Sequence, residues 1–453
     1  MKHLTPEIIA KVTGGTYIGN ESMRNIRIQG AQRDNRDIQP DNLFICIKGA
    51  RVDGHDFANT AFDAGAACCL AECKLTDAKG PYVLVDSTLL AIRKIGEYYR
   101  GLFDIPFIGL TGSVGKTTAK ELVAAALGAK LNVLKTKENL NNDLGVPLTL
   151  LSLDESHEAA VIEMGISDFG DMSILAQMVR PDIFIMTKIG YAHLEELGDL
   201  QGVLKAKTEA FAHMRPDSLA IMNGDDDLLR GFDTKRKTIY FGLDEDNDFR
   251  AVNIRTEGTS AVEFDIVGEV GTYPVKIQSY GSHLAQLAPA AAAVGWILGL
   301  SDKEISRGLA SYAPVGGRSN AADTGRITLI DDCYNANPNS VKAALSSLAA
   351  LKGRQVAILG DMLALGADSD ELHREIGIFA AQCDIDSLIC CGDEARYMME
   401  GFKSAGGREF CFFEEKADLI ATFPKLIKKG DAVLVKASNG MKFTELIQVL
   451  RDI

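Results

Sequence analysis

Short apolar runs recur along the chain, each ending in a glycine or polar turn and followed by a helix-forming stretch. Uninterrupted apolar runs suit parallel strands buried on both faces, and the stretches between them suit covering helices. The pattern predicts a helix over 5–13 with Pro6 in its first turn. A strand over 41–49, a helix over 58–64 and strands over 67–70 and 82–85 follow. The run 106–111 enters a glycine-rich turn and then a helix over 119–127. Strands are predicted over 132–134, 159–165 and 183–187, with a helical segment over 200–213. Residues 249–278 alternate apolar and polar, with Gly258, Gly268 and Gly271 as turns, which reads as an antiparallel appendage. Helices over 284–299 and 302–311 close this stretch. After Pro314-Val315-Gly316-Gly317-Arg318 the alternation resumes, with strands over 327–330, 356–359, 387–391, 410–413 and 432–435.

Strand–helix alternation of this kind makes an α/β protein. Three domains are expected: a small α/β N-terminal domain over 1–100, a central parallel-sheet domain over 101–313 and a C-terminal Rossmann-like doubly wound domain over 314–453. The last has no Gly-x-Gly-x-x-Gly after its first strand, which argues against a dinucleotide there.

Composition narrows the partners. The 453 residues are 46% apolar with no polar low-complexity tract, as in ordinary globular proteins. A net charge of −14 argues against duplex nucleic acid and anionic membranes but is compatible with small anions held locally. No apolar h-region follows Met1, and the longest apolar stretch, 287–300, is too short to span a bilayer. The nine cysteines include no Cys-x-x-Cys and read as buried residues of a reducing cytosol. A cytoplasmic monomer without membrane insertion is expected.

The chemistry centres on Thr111-Gly112-Ser113-Val114-Gly115-Lys116-Thr117-Thr118. A strand, a glycine loop and a helix N-terminus form a phosphate cradle. Lys116 would reach the terminal phosphates, and the Thr117 hydroxyl would sit on Mg²⁺. Leu110 stands where the usual pattern has its first glycine, so the loop is a shortened variant. ATP and Mg²⁺ are therefore the expected ligands. Glu163 ends the apolar run 159–162, and His193 follows the next strand; in a parallel sheet both would lie at strand C-terminal ends beside the loop. Lys205 and Lys207, on a helical segment, read by composition as solvated charges.

Further stretches carry a resemblance. Asn139-Leu140-Asn141-Asn142-Asp143-Leu144-Gly145-Val146-Pro147, Val161-Ile162-Glu163-Met164-Gly165, Ala192-His193-Leu194-Glu195, Ala206-Lys207-x-Glu209, Met222-Asn223, Gly317-Arg318, Asp332-Cys333-Tyr334-Asn335-Ala336-Asn337-Pro338 and Leu359-Gly360-Asp361-Met362 occur in the order of the Mur ligases. The chain resembles that family over essentially its whole length. Within it, the Asn139 loop, Tyr-Asn-Ala-Asn-Pro and the opening Asp34-x-Arg36, Lys48-Gly49 and Asp53-Gly54-His55 point to the member that adds D-alanyl-D-alanine.

The resemblance implies ATP-dependent amide-bond formation between UDP-N-acetylmuramoyl-tripeptide and D-alanyl-D-alanine in peptidoglycan synthesis. It gives Lys116, Thr117, Glu163 and His193 to ATP and Mg²⁺, and makes Lys207 a carbamylated lysine of the magnesium site. Asn223, Arg318, Asn335 and Asn337 would hold the nucleotide with Gly112 to Thr118. Asp34, Arg36, Lys48, Gly49, Asn139 and Asn142 would contact the UDP substrate, and Lys436 and Ser438 the incoming dipeptide. Leu284 and Leu287 replace the family's usual asparagines, Lys188 an asparagine and Ala437 a glycine. A paralogue acting on another carboxylate–amine pair, a P-loop phosphotransferase and a degenerate nucleotide-binding module are the alternatives.

Overall fold

The computed structural model describes residues 1–269 and 271–452. Its strands form three sheets, each in a separate stretch of chain. The first holds β1 (Thr16–Ile18), β2 (Gly30–Gln32), β3 (Asn42–Ile45), β4 (Cys68–Ala71) and β5 (Tyr82–Leu84), in the order β1-β5-β4-β3-β2. Only β1 runs antiparallel to its neighbour. Helix Pro6–Thr13 starts as expected, with the Thr5 hydroxyl capping the N–H of Ile8.

The second sheet holds β6 (Phe107–Thr111), β7 (Val133–Lys135), β8 (Ala159–Glu163), β9 (Ile183–Met186), β10 (Leu219–Asn223), β11 (Thr238–Gly242), β12 (Phe249–Glu257), β13 (Ala261–Gly268) and β14 (Gly271–Ile277). Their order is β14-β13-β12-β11-β10-β9-β6-β8-β7. From β7 to β12 the strands are parallel. The period of two divides their side chains between two cores. Ile108, Leu110, Val161, Ile183 and Ile185 face helices Lys116–Gly128, His283–Ile297 and Asp302–Ala310. Ala160, Ile162, Phe184 and Met186 face the other side, with Leu175 of helix Asp171–Val179 and Val203 of Leu200–Thr208.

The third sheet holds β15 (Asn320–Asp323), β16 (Thr328–Asp331), β17 (Gln355–Gly360), β18 (Ser387–Cys391), β19 (Glu409–Phe413) and β20 (Ala432–Lys436), in the order β15-β16-β20-β17-β18-β19. All but β15 are parallel. Helices Pro338–Ala349, Ser369–Gln382 and Ala395–Ser404 cover one face, and Lys416–Thr422 and Thr444–Arg451 the other, as a doubly wound unit requires.

Three local expectations change. The antiparallel stretch is not an appendage: β12 pairs parallel with β11 through Phe241–Phe249, so it extends the central sheet. The helix after the phosphate loop begins at Lys116 rather than 119, because left-handed Gly115 (φ +85°) is its N-cap. The segment 200–213 changes from α-helix to 3₁₀ after Thr208. Among the described residues no helix is long and apolar enough to cross a membrane, and all nine cysteines are free.

Candidate active site

The central sheet's order places the site. The chain leaves β6 towards β7, returns through β8 and then crosses to β9 on the other side of β6. The loops after β8 and β9 therefore flank the phosphate loop, at the crevice where parallel sheets bind ligands. A cleft of about 780 Å³ opens there, lined by residues of the second and third sheet units.

The loop is held from behind. Thr187 donates its hydroxyl to Val114 O at 2.6 Å. Ser113 gives its N–H to Lys188 O at 2.8 Å and its hydroxyl to Gly190 O at 2.9 Å. Ser113, expected among the nucleotide contacts, thus has its donors engaged in bracing the loop. The first helical bond is Ala119 N–H to Gly115 O, at 2.8 Å. The N–H groups of Lys116, Thr117 and Thr118 precede it and, among the described residues, are left for an anion. The Lys116 ammonium donates to Gly112 O at 2.6 Å.

Glu163 is buried yet borders the cleft. Its carboxylate accepts from the Thr117 hydroxyl at 2.9 and 3.1 Å and from Asn141 Nδ2 at 2.9 Å. The sequence reading chose Asn139 and Asn142 from that loop and missed Asn141. Asn139 and Asn142 line the cleft as well, and Asn142 also accepts the N–H of Gly145 at 2.8 Å and so starts the next helix. Three asparagines in four positions carry no signal of which one reaches Glu163.

Lys207 is the largest departure from the composition reading. It is 2% exposed, lines the cleft, and makes no ion pair among the described residues. Burial, and then the charge of Lys116, push its ammonium well below the ordinary lysine range. Burial also lowers Lys116, against the raising effect of Glu163. Burial, then the charges of Lys207 and Lys116, lower the pKa of His193 and so disfavour its charged form. It adopts a left-handed conformation at φ +56°.

From the C-terminal unit, Arg318 stacks 3.7 Å over the Tyr334 ring and its charge reaches Lys116. Asn337 caps helix Pro338–Ala349 and donates to Ser113 O at 3.5 Å across the cleft. Asn335 accepts the Asn439 N–H at 3.4 Å. Lys436 pairs with Asp332 at 2.6 Å, and the Ser438 hydroxyl accepts the N–H of Leu363 at 2.9 Å. Asn223 holds Thr187 O at 2.7 Å. All of these border the cleft except Gly112 behind the loop. Leu287 also borders it and packs against Gly115, whereas Leu284 is wholly in the core. Asp34, Arg36, Lys48 and Gly49 do not line the cleft. They lie on loops of the first sheet, where Asp34 and Arg36 pair with each other at 2.9 Å.

Thr117 and Glu163 offer hard oxygen donors, but no group of three or more His, Cys, Asp or Glu forms a cage among the described residues. That donor set fits Mg²⁺, which keeps waters and takes phosphate oxygens beside one or two carboxylates.

The Mur ligase middle-domain model matches residues 110–295, the Mur ligase glutamate ligase domain 317–439, and the Mur ligase family catalytic domain 27–93. The UDP-N-acetylmuramoyl-tripeptide–D-alanyl-D-alanine ligase of Bacillus subtilis is 34% identical over 98% of both chains. The chain belongs to the Mur ligase family. Among solved structures, MurF from Acinetobacter baumannii matches with a TM-score of 0.89 at 30% identity, covering 99% of each chain. MurF ligase from Thermotoga maritima, solved in complex with ADP, gives 0.82 at 27%, over 96% of this chain and 98% of that one. As a Mur ligase, the chain has its phosphate loop, Glu163, His193 and Lys207 inside the middle-domain match and its Arg318-to-Ser438 wall inside the glutamate ligase domain match.

Proposed function

We propose that this chain joins D-alanyl-D-alanine to UDP-N-acetylmuramoyl-tripeptide, with ATP consumed to ADP and phosphate, as a step of cytoplasmic peptidoglycan precursor synthesis. The observation that carries the reading is the convergence of Lys116, Thr117, Glu163, His193 and Lys207 on one cleft. Full-length similarity to relatives bearing that activity supports it.

A carboxylate acylates an amine poorly at neutral pH. Transfer of the ATP γ-phosphoryl group to the tripeptide carboxylate gives an acyl phosphate and ADP. The amine of D-alanyl-D-alanine attacks the acyl carbon, loses a proton, and the tetrahedral intermediate expels phosphate. The chain supplies orientation and fixed positive charge. Lys116 turns from Gly112 O to the phosphates, beside the free N–H groups of Lys116 to Thr118. Arg318 reaches the nucleotide from the opposite wall, with Asn223, Asn335 and Asn337 around it. Thr117 and Glu163 would hold Mg²⁺, with His193 and Lys207 beside them, and the bound ion would supply positive charge to the phosphates. Burial, and then the charge of Lys116, disfavour the ammonium form of Lys207, and a neutral amine is what CO₂ needs to form a carbamate. Addition of CO₂ to that amine, with its proton released to solvent, would then place an anion next to Lys116.

The domain over 1–100 holds the UDP end through Asp34, Arg36, Lys48 and Gly49, with Asn139 and Asn142 nearer the reacting end. That over 101–313 binds ATP. That over 314–453 brings Lys436 and Ser438 to the dipeptide. The protein acts as a monomer. The test is phosphate release with ATP, Mg²⁺ and UDP-N-acetylmuramoyl-tripeptide, with and without D-alanyl-D-alanine. Release that requires the dipeptide and yields a ligated product supports ligation. Phosphate transfer indifferent to the dipeptide refutes it.

A further inference from the structure

One buried charge has no part in the mechanism above. Lys120 lies one helical turn beyond Lys116 on helix Lys116–Gly128 and is 0% exposed. Lysines are almost never fully buried unless paired. Its ammonium donates to Thr136 O at 2.8 Å, pairs with Glu121 Oε1 at 3.0 Å and stands 3.8 Å from Glu163 Oε2.

Two features separate this from ordinary core pairing. Glu121 is also paired with Lys135, so it has a cation without Lys120. Glu163 has no other cation within 4 Å among the described residues; its remaining partners, Thr117 and Asn141, are neutral. Lys120 also reaches the backbone of that strand junction, because Thr136 accepts the Glu163 N–H at 2.9 Å through its hydroxyl while its carbonyl accepts Lys120. Thr117, Asn141 and Glu163 all border the cleft, and Lys120 does not. An arriving ligand can therefore draw Thr117 and Asn141 away from Glu163 but leaves the ammonium behind it in place.

We propose that Lys120 is a positioning residue: its buried charge holds the Glu163 carboxylate in the orientation that receives a magnesium-bound nucleotide. The inference rests on the reading of Glu163 as a magnesium-site carboxylate. Lys120 touches neither substrate nor metal and acts through Glu163.

The test is ADP binding by calorimetry, with and without Mg²⁺, for the wild type, Lys120→Met, Glu163→Gln and the double variant. Residues that hold a metal ligand in place typically contribute about 10- to 100-fold in metal affinity. Lys120→Met should lose about 10-fold or more of the Mg²⁺-dependent gain in ADP affinity, while metal-free ADP binding changes less than about twofold. In the Glu163→Gln background the Lys120→Met effect should vanish, since the two act as one unit. Three results overturn the proposal: an unchanged magnesium gain in Lys120→Met, equal weakening with and without the metal, or an effect that survives in the Glu163→Gln background. If Glu163→Gln alone leaves the magnesium gain intact, the metal-site reading falls and this inference falls with it. Should Lys120→Met fail to melt cooperatively, Lys120→Gln, which keeps a donor for Thr136, takes its place. Loss of folding in both makes Lys120 a folding residue and overturns the proposal.

Discussion

Gly112→Ala tests the phosphate loop by geometry alone. Gly112 has φ +150°, a conformation that side-chain-bearing residues rarely adopt. A Cβ there would lie 2.0 Å from Thr187 Oγ1, 3.1 Å from Lys188 N and 3.2 Å from Lys188 O. The Thr187 hydroxyl cannot simply swing aside, because it tethers Val114 O at 2.6 Å. The backbone strain costs about 1–3 kcal/mol, and losing the tether costs about 1 kcal/mol more. If that falls on the conformation that binds phosphate, ADP affinity drops about 30- to 1,000-fold at 1.4 kcal/mol per tenfold. Calorimetry with ADP and Mg²⁺ measures it, and far-UV circular dichroism checks that the fold persists. Thr187→Ala removes the clashing atom but not the strained φ. The double variant should therefore bind ADP better than the sum of the two single losses predicts. ADP affinity in Gly112→Ala within twofold of wild type would refute both the loop geometry and its role.

Lys116→Ala should lose about a thousandfold or more in turnover, because a charge on the transferring phosphate is worth several kcal/mol; its fold should persist, since among the described residues that side chain makes one hydrogen bond, to Gly112 O. Steady-state phosphate release measures the loss. Lys207→Ala should be nearly inactive and partly restored by a small carboxylic acid in solution, which fills the vacated space with an anion; wild-type activity without the acid would make Lys207 a spectator. Burial lowers the pKa of His373, whose Nε2 accepts the Met362 N–H at 3.0 Å. The unfolded chain then binds more protons below about pH 6.5, so this residue's share of stability is lost as pH falls from 6.5 towards the lowered folded value. Asp361, raised by burial, acts in the opposite sense. Comparing urea unfolding of His373→Gln and wild type at pH 7.5 and 5.5 isolates the histidine, and an identical pH slope in both would count against it.

Much of the fold was legible because buried parallel strands write themselves as apolar runs. β18 has the predicted bounds, and β8, β9, β17 and β20 lie within two residues of theirs. What escaped obeys other forces. β15, Asn-Ala-Ala-Asp, is an edge strand with no apolar signature and forms because β16 offers it an antiparallel partner. The parallel pairing of β12 with β11 spans two residue pairs, a nonlocal contact that alternation within 249–278 cannot reveal. β10, Leu-Ala-Ile-Met-Asn, has the apolar run of a buried strand, although no strand is expected there from the pattern above.

The site divides along the same line. Glu163 and His193 could be placed because strand ends of a parallel sheet converge on one edge. Lys207 could not be placed by composition, yet helical spacing held the information. Val203 and Leu204, four and three residues before it, are buried, and Lys205 on the opposite side is exposed. The same spacing sets Lys120 between buried Thr117 and buried Val123 and Ala124. A lysine flanked at these spacings by buried residues is directed into the protein, where its charge must be matched or removed. These two meet that demand differently. Lys120 turns away from the cleft towards two carboxylates and a carbonyl. Lys207 turns into the cleft, where Lys116 and not a carboxylate is its charged neighbour. The charge of the first is matched where it lies, whereas burial and the nearby Lys116 disfavour the charged form of the second.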